Sequence, residues 1–167
     1  MHPWKVIYVS SRAEKKVAER LKEKRIECYV PMKKELKQWS DRKKMVESPL
    51  INGYVFVRPD ALQRDQVLQQ QGVLNYVRYN GGDALVREIE IEALKSIEAK
   101  GYFVEGHFGS DLKPGDATII QAGPFKGLRG QVQTAGDKEI YTIVIDSIDY
   151  SLSLQLPREI LKKEGKT

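Results

Sequence analysis

Lys113-Pro-Gly-Asp-Ala-Thr-Ile-Ile-Gln-Ala-Gly-Pro-Phe-Lys-Gly-Leu-Arg-Gly-Gln-Val132 decides how the second half of the chain is read. Two short β-branched runs, Thr118-Ile-Ile and Gln131-Val-Gln, flank a basic segment punctuated by Gly and Pro. Gly115, Gly123, Gly127 and Gly130 suit positions where the backbone turns with φ > 0 or lies against another strand, because a side chain is unwelcome in both. Taken alone, the segment also fits an ordinary Gly-rich hairpin. Its neighbours say more. Tyr141-Thr-Ile-Val-Ile145 and Ser151-Leu-Ser-Leu-Gln-Leu156 are further short strands, the last in strict polar–apolar alternation. Evenly spaced strands over so short a stretch predict a small β-barrel.

Upstream, Gly101, Gly106 and Gly109 break the periodicity between Gly101 and Asp111. A first domain over 1–105, a short linker over 106–111 and a second domain over 112–167 follow from that break. Tyr102, Phe103 and Phe108 near the linker are expected to pack rather than float.

The first domain reads β-α-β-β-α-β-α. Trp4–Val9 is a short strand of β-branched and aromatic residues. Ser11 offers a cap oxygen with Glu14 three residues on, as in a capping box, and a helix is expected to about Arg25. Ala13, Val17, Ala18 and Leu21 share one face of that helix. Strands are expected at Ile26–Val30, Tyr54–Arg58 and Val73–Tyr79, the last closed by the turn Asn80-Gly-Gly-Asp83. Ala61–Gln70 and Arg87–Lys100 read as helices, the second with Ile89, Ala93, Leu94 and Ile97 on one side. The expected class is α+β: an antiparallel sheet with helices on one side, followed by a five-stranded barrel.

Charge is unevenly spread. Met1–Glu47 carries fourteen Lys/Arg against seven Asp/Glu, whereas Ser48–Gly109 has six against eight and Ser110–Thr167 eight against eight. Such asymmetry suits a face for nucleic acid or an acidic partner. Lys16, Arg20 and Lys24, with Arg12, form a stripe that recurs every four residues. Six basic residues between Lys33 and Lys44 surround Trp39. An aromatic set in a basic loop can hold nucleic acid by stacking and phosphate contact. Trp39 can equally pack back on the sheet as a hairpin residue, and that is the expectation favoured here.

Other chemistries find little support. One cysteine, Cys28, and two histidines, His2 and His107, give neither a disulfide framework nor a metal-site spacing. No carboxylate pair, His/Cys dyad or phosphate-cradling loop stands out, so a non-enzymatic protein with no cofactor and no metal is expected. No apolar run approaches the length of a bilayer span and the N-terminus lacks a signal-peptide core, which predicts a cytoplasmic protein with no membrane partner.

Gly-Pro-Phe-Lys-Gly127 in its β-rich frame resembles a KOW motif, found in small barrels of transcription and ribosomal proteins. The Trp-led strand, basic helix, Cys28-Tyr-Val-Pro31, basic hairpin, Pro49-Leu-Ile-Asn-Gly-Tyr-Val-Phe-Val57 and Gly72-Val-Leu-Asn-Tyr-Val-Arg-Tyr79 extend the likeness over nearly the whole chain. Together they resemble the NusG family of transcription elongation factors. Cys28, Pro31, Pro49-Leu50 and Tyr76-Val-Arg-Tyr79 look more like its operon-specific antiterminators, the RfaH and capsular-polysaccharide (UpxY-type) branch. The loop Ile51-Asn-Gly-Tyr54 departs from the usual pattern by lacking a rigid proline. Arg64-Asp-Gln-Val67 does not match the His-Thr-Thr-Thr stretch of RfaH.

The resemblance implies an antitermination or elongation factor acting on RNA polymerase. Tyr8, Leu50, Ile51, Tyr54, Phe56 and Tyr79 would face the clamp helices of the large subunit, Tyr8 and Phe56 being also readable as core. Lys16, Arg20, Lys24, Arg42 and Lys44 would face the non-template DNA strand. In the second domain Phe125, Lys126, Leu128, Arg129 and Ile145 would meet a partner, with termination factor Rho or ribosomal protein S10 as the family precedents. Rival readings are a general housekeeping elongation factor and a ribosome-associated KOW protein that binds RNA.

Overall fold

The computed structural model describes residues 2–102, 104–109, 112, 118–121, 123 and 125–157. The expectations for Phe103, Gly115, Pro124 and the tail after Pro157 lie outside the described residues. From the N-terminus the elements are β1 (Lys5–Val9), α1 (Glu14–Glu23), β2 (Glu27–Tyr29), β3 (Met32–Gln38), β4 (Lys43–Pro49), β5 (Tyr54–Arg58), α2 (Gln63–Leu68) and β6 (Val73–Tyr76). There follow β7 (Arg78–Tyr79), β8 (Gly82–Asp83), α3 (Glu88–Lys100), β9 (Val104–Phe108), β10 (Thr118–Ile119), β11 (Arg129–Ala135), β12 (Lys138–Ile145) and β13 (Tyr150–Pro157). They group into two units, one of Met1–Met32 with Glu47–Glu88, the other of Lys33–Val46 with Ile89–Thr167.

The first unit is built on a four-stranded antiparallel sheet in the order β2-β5-β1-β6. Alternation along β1 sends Ile7 and Val9 to one face, where they meet Val55 and Val57 of β5, Val17 and Leu21 of α1 and Val67 of α2. Burial of each such side chain contributes about 1.5–3 kcal/mol. The central strand β5 is apolar on both faces, and Val55, Phe56 and Val57 are all fully buried.

Helix α1 keeps the expected apolar face but starts later than its capping signal. Ala13 occupies the cap position with no side-chain cap hydrogen bond. The capping box read at Ser11 is therefore corrected: the Glu14 carboxylate is buried and accepts from the Gly53 N–H at 3.1 Å instead. At the other end Arg25 takes φ 60°, and the N–H groups of Arg25 and Ile26 return to the carbonyls of Lys22 and Leu21. This is a Schellman stop with arginine where glycine is usual, and its apolar pair is Leu21–Ile26. Cys28 on β2 is half-buried, its thiol 3.5 Å from the Ala18 carbonyl, and burial pushes its pKa up.

Polar ties pin the periphery of this unit. Asp83 receives Lys5 at 3.0 Å and a two-pronged bond from Arg64, whose guanidinium lies 4.5 Å from the Tyr76 ring centroid. Burial alone would raise the Asp83 pKa, but the hydrogen bonds and charges of Lys5 and Arg64 outweigh it and hold the carboxyl below its usual value. Arg58 lies over the Trp4 ring and pairs with Glu88, which also accepts from the indole N–H.

The second unit carries a five-stranded antiparallel sheet in the order β10-β11-β12-β13-β9. The all-β reading of this half holds, but the closed barrel does not. Among the described residues β9 and β10 form the two edges and do not pair, and β10 has only two residues with which to reach a neighbour. Gly106, His107 and Phe108, expected in the linker, belong to edge strand β9 and pair with β13. Helix α3 buries Ile91, Ala93, Leu94 and Ile97, so Ile91 takes the place expected for the exposed Ile89. Its Glu90 is also fully buried and accepts from the Ser147 hydroxyl at 3.2 Å.

Candidate functional site

The apolar loop before β5 is held from three sides. The Leu50 N–H donates to the Pro31 carbonyl, the Val9 N–H donates to the Gly53 carbonyl at 2.9 Å, and the Gly53 N–H donates to Glu14. Gly53 sits at φ 80°, in the left-handed region that a side chain resists. These bonds supply rigidity to a loop that lacks a proline. They also turn Leu50 and Ile51 inward, where both are buried.

Beside the loop, Tyr8 and Tyr54 face each other across β1 and β5. Their rings meet edge to face with centroids 5.0 Å apart, and the Tyr54 hydroxyl donates to that of Tyr8 at 3.3 Å. Tyr54 is only 6% exposed, while Tyr8 is 40% exposed. Burial, followed by its hydrogen bond to Tyr8, raises the Tyr54 pKa far above the phenol range and keeps it neutral.

Of the six aromatic and aliphatic residues expected on a docking face, only Tyr8 and Tyr79, the latter 49% exposed, reach solvent. Tyr54, expected on that face, is covered instead. Leu50, Ile51, Tyr54 and Phe56 fill the interior, with Phe56 stacked on Tyr29 at 6.4 Å. A loop whose apolar head can turn inward gains more from burial than from waiting exposed.

The basic residues divide between the two units. Lys16 on α1 and Lys24 at its C-cap are exposed, whereas Arg20 is half-buried and donates to the Gln71 carbonyl at 2.8 Å. Arg42 and Lys44 are exposed on the β3–β4 hairpin. Trp39 does not pack back: it is 45% exposed, with the Arg42 guanidinium carbon 5.9 Å from its ring centroid.

In the second unit Phe125, Leu128 and Ile145, expected to face a partner, are buried. Phe125 packs edge to face on Tyr141 at 5.4 Å, and Leu128 closes the turn through its N–H to the Phe125 carbonyl. Lys126 is exposed, and Arg129 is half-buried with two bonds to Asp146 at 2.9 and 2.7 Å. Gly123 and Gly127 take φ of 85° and 91°, as their turn roles require. At Gly130 a Cβ would lie 2.1 Å from the Thr142 carbonyl oxygen, the close approach the sequence suggested.

The Glu14–Gly53 tie was missed because its partners lie 39 residues apart and the local pattern of Glu14 pointed to a cap. The sequence signal for the exposure of Trp39 is the set of six cations around it.

With both units laid out, their order and topology are those of a known two-part fold. A solved structure described as "Domain interaction in Thermotoga maritima NusG" is similar over 100% of this chain and 98% of that one, with a TM-score of 0.56 at 18% identity. At that identity the likeness is one of fold. Residues 2–95 match the family described as NusG, transcription termination factor nusG. The match spans more than half of the chain, which belongs to the NusG family of transcription factors.

Proposed function

We propose that the protein is an antitermination factor that binds the clamp helices of the RNA polymerase large subunit and suppresses pausing or termination on selected operons. The observation that carries this reading is Tyr8, an aromatic ring half in solvent and braced from below by Tyr54 and the Glu14-anchored loop. A ring held by its neighbours loses little freedom on docking, and such anchors dominate interface energies. Tyr79 adds a second exposed ring. Leu50, Ile51, Tyr54 and Phe56 act as support beneath the contact, not as the contact.

Lys16, Lys24, Arg42 and Lys44 provide the positive charge for the non-template DNA strand, with Arg20 held partly in reserve by Gln71. The exposed Lys126 and the edge of the five-stranded sheet offer the second unit's surface for a further protein such as Rho or ribosomal protein S10. Function arises from differential binding: contacts that favour the closed clamp by about 1.4 kcal/mol shift the paused population tenfold.

The test is a binding assay with polymerase carrying or lacking the clamp helices, followed by single-round transcription on candidate operons. Tyr8→Ala is expected to weaken binding by about thirtyfold, the effect of losing a 2 kcal/mol anchor. Undiminished binding of that variant, or binding that ignores removal of the clamp helices, would discard the reading.

A further inference from the structure

The tip of the β3–β4 hairpin brings together groups that neither the fold nor the docking surface uses. The backbone groups of Trp39 and Arg42 bond to each other across the turn at 2.8 and 3.4 Å, which fixes the two residues as a facing pair. Side chains alternate along a strand, so Lys37 and Lys44, one pleat repeat or about 7 Å behind, share the face of Trp39 and Arg42. All four are exposed. Along the stretch Lys33–Lys44 only Glu35 and Asp41 oppose six cations, and Glu35 is occupied by Lys33 at 2.5 Å. The indole is left 45% exposed among these charges.

We propose that this face is a stacking platform for an unpaired nucleotide of single-stranded DNA, with the Trp39 ring taking the base and Arg42, Lys37 and Lys44 the adjoining phosphates. The assignment rests on the reading of Arg42 and Lys44 as DNA contacts, and adds the residue that separates single strand from duplex. A flat ring needs a base face that is free of its stack, which a duplex withholds, whereas lysine and arginine accept phosphates from either form. Stacking tolerates any base, so the platform grips without reading sequence.

The chain reports on its own occupancy. Of its two tryptophans, Trp4 is 3% exposed beneath Arg58, so quenching of fluorescence by added nucleic acid belongs to Trp39. The full-length protein is titrated with single-stranded oligothymidylate, with its oligoadenylate duplex, and with oligouridylate RNA of equal length. Trp39→Ala is expected to weaken single-strand DNA binding about tenfold, to leave duplex binding unchanged and to leave the salt slope of log K intact. Trp39→Phe retains most of the affinity, while Arg42→Ala and Lys44→Ala each lower the slope by about one.

Single-strand affinity unaltered in Trp39→Ala, with the slope still falling in Arg42→Ala, would overturn the platform and leave the phosphate contacts standing. A wild-type protein that binds no single strand would overturn both. An equal loss on duplex, or tighter binding of the RNA, would overturn the assignment to unpaired DNA.

Discussion

Glu14 shows how one side chain can serve a different purpose from the one its neighbours in sequence advertise. Its carboxylate is buried and takes the N–H of Gly53, a residue whose positive φ already resists substitution. Glu14→Ala removes the acceptor and leaves a part-buried donor unsatisfied, at a cost of about 1–3 kcal/mol. The expected outcome is a lower urea midpoint together with weaker polymerase binding, both largely restored by Glu14→Gln, which keeps an oxygen in place. A midpoint equal to wild type would mean that the loop holds its shape without this bond. At this scale the sequence was legible for residues defined by local geometry. Gly123 and Gly127 sit in the left-handed region, as their turns demand. It was less legible for Leu50, Ile51 and Tyr54, because an apolar residue in a loop carries the same letters whether it faces inward or a partner.

Elements were read best where a period repeats. The buried Val17, Ala18 and Leu21 of α1 and the buried Leu152, Leu154 and Leu156 of β13 follow their expected spacing, while Ser151 is buried as well and donates to the Gly109 carbonyl. Boundaries failed where a tertiary bond displaced a local one, as at the start of α1. Gly106, His107 and Phe108 of β9 fall in the expected linker because the glycine obscures the strand pattern. In the fold Gly106 is required, since a Cβ there would lie 2.4 Å from the Tyr150 hydroxyl. Gly130 makes the same demand on β11, opposite Ile143 of β12. Gly130→Ala must push the strands apart or shift the Thr142 carbonyl, and overpacking of this kind costs about 1–3 kcal/mol. Amide hydrogen exchange across β11 and β12 is expected to accelerate in that variant; protection equal to wild type would show that the ladder absorbs the extra carbon.

For the molecule as a whole, the order of motifs along the chain pointed to the NusG family. It could not say whether the second sheet closes, because closure depends on strand length to within a residue or two. Both units share one electrostatic trait. Burial raises the pKa of Tyr54 and takes Tyr76 to about 12 in the first unit, and raises those of Tyr141 and Tyr150 in the second. An unfolded tyrosine ionises near pH 10, so above about pH 10 the unfolded chain sheds protons that the folded chain keeps, and stability falls as pH rises. Asp83 acts in the opposite sense: its lowered pKa gives a contribution present above about pH 4 that fades as pH falls through the folded value. Urea midpoints followed against pH are expected to decline at both ends, with Tyr141→Phe blunting the alkaline decline. A midpoint that stays level well beyond pH 10 would contradict this account.

Cys28 adds a practical consequence. As the sole sulfhydryl it can be oxidised to a disulfide only with another molecule, and burial, which raises its pKa, keeps the thiolate fraction small at neutral pH. A crosslinked pair of chains is therefore expected to build up slowly on air exposure at neutral pH and faster as the pH is raised.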